Sequence, residues 1–163
     1  IDHIGELYWY ACGIYIAQSG KNQIANNLIH NIPYIGIILS GSRNFYYQHP
    51  GYGEGYRSIR WQDFSDEYKK LLQNSYSNQS EPYKYFISYL HARDNLIEGN
   101  EIFAAVETMG DGNAIYLSGA GTGNLIRRNY VHHILSDGIQ TALRPDDLQE
   151  QTTFEENIVY KCT

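Results

Sequence analysis

No run of about 18 apolar residues occurs in this chain, so no segment is long and apolar enough to span a membrane as a helix. No leader pattern of charged, apolar and small residues opens it either, and an excerpt of a longer chain would not show one. Cations are scarce: 12 Lys and Arg stand against 18 Asp and Glu, a net charge of −6. That balance argues against a nucleic-acid partner, which needs a basic footprint, and against an acidic polysaccharide, which would prefer a basic groove. No spacing of His or Cys suits a metal centre, and no Gly-rich phosphate loop precedes a helix.

What the chain has in quantity is repetition. Asn22, Ile24, Asn27 and Ile29 in "NQIANNLIH" share their spacing with Asn95, Ile97, Asn100 and Ile102 in "NLIEGNEIF". The same spacing returns at Asn124, Ile126, Asn129 and Val131 in "NLIRRNYVH", and in weaker form at Thr152, Phe154, Asn157 and Val159 in "TTFEENIVY". The period is about 28 residues, interrupted once between Ile29 and Ile102. A second motif rides between the copies, "GIYIAQSG", "GIILSGS", "AIYLSGAG" and "GIQTAL", with Gly138 following Asn129 at the interval by which Gly36 follows Asn27. Each period thus holds three short strand-like segments separated by Asn or Gly turns.

Three short strands per repeat with polar turns predict a parallel β-helix, here right-handed and of about five coils. An antiparallel sandwich is the alternative, but it gives no reason for turn asparagines to recur at fixed offsets. In the β-helix, Ile24, Ile97, Ile126 and Phe154 stack inside at the strand spacing of about 4.8 Å. Each Asn sits at a bend and hydrogen-bonds the Asn of the next coil. One coil cannot bury its own apolar face; several can.

The chain is expected to form one domain, residues 1–163. It lacks an initiating Met and "IDHIGELY" begins in mid-repeat, so it is read as an excerpt of a longer protein. Open solenoid ends expose unpaired strand edges, which would make oligomers through end pairing. Cys12 and Cys162, the only cysteines, fall in the first and last coils. Several strand spacings exceed the roughly 7 Å limit for a disulfide Cα pair, so both are expected as free, buried thiols.

The interruption carries an insertion over residues 44–86, dense in tyrosine. "SDEYKKLLQNSY" puts Tyr68, Leu71, Leu72 and Tyr76 on one helical face with Ser65 as N-cap, predicting one short helix. Tyr and Trp present a flat apolar face and a polar tip, which fits a sugar ring as well as it fits the flank of a solenoid. Trp61 in "IRWQDF" and Tyr56 are the stacking candidates.

Acids concentrate further on. "MGDGNAIY" holds about five extra residues before its strand, which would raise Asp111 on a loop above the coil, with Glu107 nearby in "AVETMG". The following coil supplies Asp137 and, in "LRPDDLQ", Asp146 and Asp147. Paired carboxylates are what glycoside hydrolysis requires, one to protonate the leaving oxygen and one to attack or to activate water. Asp before Gly is also ordinary turn chemistry, whereas two adjacent acids repel and gain little structurally. Substrate contacts would come from Tyr116, Arg144, Glu107 and His132. His132 shares its repeat slot with His30, Phe103 and Tyr160, which suits a wall residue.

The stretches "ACGIYIAQSGKNQIANNLIHNIPYIGIILSGSR", "LHARDNLIEGNEI", "MGDGNAIYLSGAGTGNLIRRNYVHHI" and "RPDDLQEQTTFEENIVY" resemble β-helix proteins of bacterial polysaccharide-degrading systems, and among them glycoside hydrolase family 141. The similarity covers nearly the whole chain. The Asn–Ile repeats specify only the solenoid, which hydrolases, lyases, epimerases and tailspikes share. "GDGNAIY" with "RPDD" is narrower, and the resemblance implies a catalytic role for Asp111 and for Asp146 or Asp147. It implies a fucosidase- or xylanase-type enzyme, without cofactor, acting on a plant or algal cell-wall polysaccharide or oligosaccharide, secreted or periplasmic. Pro145 stands where relatives carry Thr. A polysaccharide lyase is the first rival; it would use Arg144 as base and Ca²⁺ held by Asp146 and Asp147. A binding or structural β-helix that grips glycan without cleaving it is the second.

Overall fold

The computed structural model describes residues 1–5, 7, 8, 10–41, 64–67, 69, 70, 87, 90–135, 138–147 and 149–162. Twelve strands follow in chain order. The first coil is β1 (Ile14–Ala17), β2 (Gln23–Ala25) and β3 (Leu28–Ile32). The second is β4 (Ile37–Ser40), β5 (Leu96–Glu98) and β6 (Glu101–Ala105). The third is β7 (Asp111–Ser118), β8 (Asn124–Arg127) and β9 (Tyr130–Ile134). The fourth is β10 (Ile139–Asp146), β11 (Thr152–Glu155) and β12 (Ile158–Cys162).

Every third strand pairs in parallel, giving three four-stranded sheets: β1-β4-β7-β10 (the first sheet), β2-β5-β8-β11 (the second) and β3-β6-β9-β12 (the third). This is a parallel β-helix, as the period predicts. Four complete coils are present, and a single parallel bridge from Asp2 to His30 begins a fifth. Ile24 pairs with Ile97 across the interruption, so the solenoid advances one rung between them. Most of residues 44–86 lie outside the described residues. There, the Lys69 N–H donates to the Ser65 carbonyl at 2.9 Å, one helical turn; Tyr68, Leu71, Leu72 and Tyr76 lie outside the described residues.

Inside, alternation selects one side chain in two. Ile29, Ile37, Leu39, Ile97, Ile102, Ile115, Leu117, Ile126 and Val131 are all fully buried. At the corners two asparagine ladders close the coil. Asn95 Nδ2 donates to Asn124 Oδ1 and Asn22 Nδ2 to Asn95 Oδ1, at 2.9 and 2.8 Å. The other ladder runs Asn27, Asn100, Asn129, Asn157, each amide donating to the next Oδ1 at 2.9 Å. The same Oδ1 atoms also accept the backbone N–H of the preceding rung's Asn. The second Nδ2 hydrogen goes to a backbone carbonyl one coil back, Ile24 from Asn100 and Ile97 from Asn129. The buried amides of Asn100 and Asn129 are thus satisfied, as buried amides generally are.

The residue before each ladder position takes the left-handed conformation: Lys21, Asp94, Gly123 and, before Thr152, Gln151 at one corner, Asn26, Gly99, Arg128 and Glu156 at the other. Only Gly99 and Gly123 adopt it without steric cost.

Three expectations need correction. The motif "GIQTAL" does not align through Gly138: the register pairs Leu143 with Ile115 and Ile139 with Asp111, so Ala142 takes the place of Ala114. Asp111 is consequently not lifted on a loop. It opens β7, paired with Ile139, because β7 and β10 are both eight residues long and absorb the extra residues as strand. Cys12 and Cys162 are free, as expected, but both are only half-buried.

Candidate functional site

The outer face of the first sheet gathers the acids. Its register aligns Tyr15, Ile38, Tyr116 and Arg144 in one row across the four rungs, and Ala17, Ser40, Ser118 and Asp146 in the next. Asp146 is the last residue of β10, and Asp147 after it turns into the left-handed region at φ 54°. Strand alternation alone would send two successive side chains to opposite faces. The turn instead brings both to Tyr116, whose hydroxyl lies 2.9 Å from Asp146 Oδ2 and 3.4 Å from Asp147 Oδ2. Those two oxygens are therefore no more than about 6 Å apart, a bound that admits the separation of about 5 to 5.5 Å that retaining glycosidases use between carboxyl groups.

Each acid has further partners. Ser118 Oγ donates to Asp147 Oδ2. The Asp147 N–H donates to Asp146 Oδ1 at 2.8 Å, and Arg144 Nη2 lies 2.9 Å from Asp146 Oδ2. The other arm of the same guanidinium, Nη1, is 3.4 Å from Asp111 Oδ1. One rigid fork thus links both acids, placing the Asp111 and Asp146 oxygens within about 9 Å of each other. Asp111 is the more open of the two, its side chain 73% exposed against 34% for Asp146. Pro145, with no N–H to offer, is tolerated because β10 is the outermost strand of its sheet.

Beside this cluster lies a groove of about 550 Å³, walled by Tyr8, Tyr10 and Tyr34 and floored by Tyr15, Ile38 and Tyr116. Tyr10 and Tyr34 hold each other with ring centroids 4.8 Å apart. Asp111 and Ser118 also line it, and Cys12 sits in the wall, where burial pushes its thiol up from the ordinary range.

The structure therefore brings together Asp111, Tyr116, Arg144, Asp146 and Asp147. It does not bring Glu107 or His132 to them. Glu107 is exposed and lines a separate cavity of about 440 Å³ with His3, Asn31 and Pro33. His132 belongs to the third sheet, stacked on Phe103 at 4.9 Å with its Nε2 3.2 Å from Glu101. Trp61, Tyr56 and Asp137 lie outside the described residues. Sequence reading passed over Tyr8, Tyr10, Tyr15, Tyr34 and Ser118. The row containing Tyr15 and Tyr116 was visible in "GIYIAQSG" and "AIYLSGAG"; Tyr8, Tyr10 and Tyr34 fall between repeats and carried no signal. Among the described residues, no group of three or more His, Cys, Asp or Glu is arranged to hold a metal ion.

Residues 6–163 match the family model described as a right-handed beta helix region. No curated protein and no solved structure matches the chain.

Proposed function

The chain belongs to the right-handed β-helix family, and on that premise we propose that it is a glycoside hydrolase acting on a cell-wall polysaccharide through the aspartates of the first sheet. The observation that carries this reading is one tyrosine hydroxyl shared by Asp146 and Asp147 at the end of a tyrosine-lined groove. The resemblance of "GDGNAIY" and "RPDD" to glycoside hydrolase family 141 supports it. Secretion or export to the periplasm would follow from such a substrate.

The partners suggest the roles. Asp146 accepts from a guanidinium, a phenol and a backbone N–H, donors that favour its charged form. It suits the nucleophile or base. Asp147, which accepts from the hydroxyls of Tyr116 and Ser118, is the other carboxyl of the pair and takes the proton-donor role. Asp111 offers a second pairing with Asp146 at longer range, which would suit an inverting reaction with a water between the carboxyls.

The test is a set of Asn variants at Asp111, Asp146 and Asp147, assayed on xylan and fucosylated pectin fragments, with the product anomer followed by NMR. Asp147→Asn should lower turnover by about 10² or more, since an amide cannot deliver a proton, while glycan binding persists. Retention with Asp111→Asn nearly silent supports the adjacent pair. Inversion with Asp111→Asn crippled supports the long pair. If all three variants match the parent, the hydrolase reading fails in favour of a binding β-helix. The lyase reading gains nothing from Arg144, whose two arms are both committed to carboxylates.

A further inference from the structure

The groove has a direction. Its floor is contributed by Tyr15 of β1, Ile38 and Ser40 of β4, and Tyr116 and Ser118 of β7, so it crosses three consecutive rungs along the solenoid axis. The Asp146–Asp147 pair lies one rung beyond Tyr116, at one end of that trough. Tyr15 and Tyr116 occupy the same register row, separated only by the shorter Ile38. Two rung spacings come to roughly 10 Å, the span of a disaccharide. Ser40 and Ser118, in the adjacent row, are small and line the trough beside the two rings. Tyr15 is 61% exposed, its ring turned to the trough and not consumed in the core.

We infer that the glycan chain lies along the solenoid axis, with Tyr15 forming a distal sugar subsite that recognises chain length. This rests on the glycosidase reading above and extends it. The site should then require an extended substrate: a sugar on Tyr116 next to the acids, and a sugar two rungs away on Tyr15. An aromatic platform contributes through its face, independent of which hydroxyls the sugar carries. Its gain appears only when the substrate is long enough to reach it.

The probes are xylo- and cello-oligosaccharides of two to six units, titrated calorimetrically against the chain carrying Asp147→Asn to prevent turnover. Affinity should rise about tenfold between dimer and tetramer and then level off. Adding Tyr15→Ala should remove about threefold to tenfold of tetramer affinity and much less of dimer affinity. Tyr15→Trp should restore the length dependence, which a purely structural role for Tyr15 would not predict. Equal affinity for dimer and hexamer, or equal loss for both in Tyr15→Ala, overturns the distal subsite while leaving the glycosidase reading standing. If neither series binds and xylan, cellulose and fucosylated pectin fragments are also not retained, the glycosidase reading fails and the subsite with it.

Discussion

Two outer faces of the same solenoid carry rings in register and use them differently. On the third sheet, His30, Phe103 and His132 form a continuous row with ring centroids 4.7 and 4.9 Å apart and planes within 16° of parallel. Their faces are spent on one another. On the first sheet, Tyr15 and Tyr116 are held two rungs apart by Ile38, and the faces stay open to the groove. The geometry of the coil is common to both, so the difference lies in the residue placed between rings. A ring on every rung fills the surface; a ring on every second rung leaves a seat. That is why His132, although it occupies a repeat slot and touches Glu101, does not belong with the acids.

The largest effect that would sharpen this contrast is on turnover. Tyr116→Phe keeps the ring and removes the hydroxyl between Asp146 and Asp147. A hydrogen bond to a charged group contributes about 1.5–3 kcal/mol, so turnover on a cleaved glycan should fall roughly 10- to 100-fold. His132→Ala should leave turnover unchanged, and a comparable loss in that variant would break the division between the two faces.

Next comes the scaffold that both faces share. Asn129 is buried and makes five bonds through its side chain and N–H: it donates to the Asn157 Oδ1 twice and to the Ile97 carbonyl, and its Oδ1 accepts from Asn100 twice. Asn129→Ala should cost about 1–3 kcal/mol, read from urea unfolding, because the neighbouring amides lose their partners in a buried setting. An unchanged midpoint would mean the ladder is incidental to the coil.

Smaller again is the stacked row itself. Phe103 is half-buried between His30 and His132, and Phe103→Ala should cost about 1–2 kcal/mol through lost burial and ring contact. Glycan affinity should not move. If it did, the third sheet would be part of the binding surface after all.

The ladders and the inward rows were legible in the sequence because they demand a particular side chain at a fixed interval: only Asn supplies both an acceptor and two donors at such a corner. The corner conformation was not. Lys21, Arg128, Gln151 and Glu156 adopt positive φ without any glycine to announce it, since the tertiary hydrogen bonds of the next residue hold the turn. The acids were legible as candidates but not as a constellation. Nothing in "RPDD" says that Asp147 turns left-handed, yet that single torsion places two adjacent carboxylates on one tyrosine. Asp111 departs from expectation for the opposite reason. Extra residues in one repeat predict a loop, whereas two neighbouring coils of matching length pair them as strand.

The smallest expected effect concerns the one rung where the ladder at the first corner changes identity. Thr152 stands in register with Asn124, and its Oγ1 accepts from Gln149 Nε2 at 2.8 Å. Asn at this position would bring an Oδ1 to the place where Asn124 holds one for Asn95, and an Nδ2 for a carbonyl one coil back. It would disturb the Gln149 bond, whose donor also reaches the Glu150 carbonyl at 2.9 Å and so keeps a partner. Thr152→Asn should therefore stabilise the chain by less than about 1 kcal/mol. The segment from Asp147 to Thr152 joins the acids to this corner, so the variant also asks whether the first face tolerates a stiffer support. Higher stability with unchanged turnover would show that the corner and the acid pair are independent. Higher stability with slower turnover would show that the turn at Asp147 must move during the reaction, a property the stacked face, with its rings committed to each other, does not need.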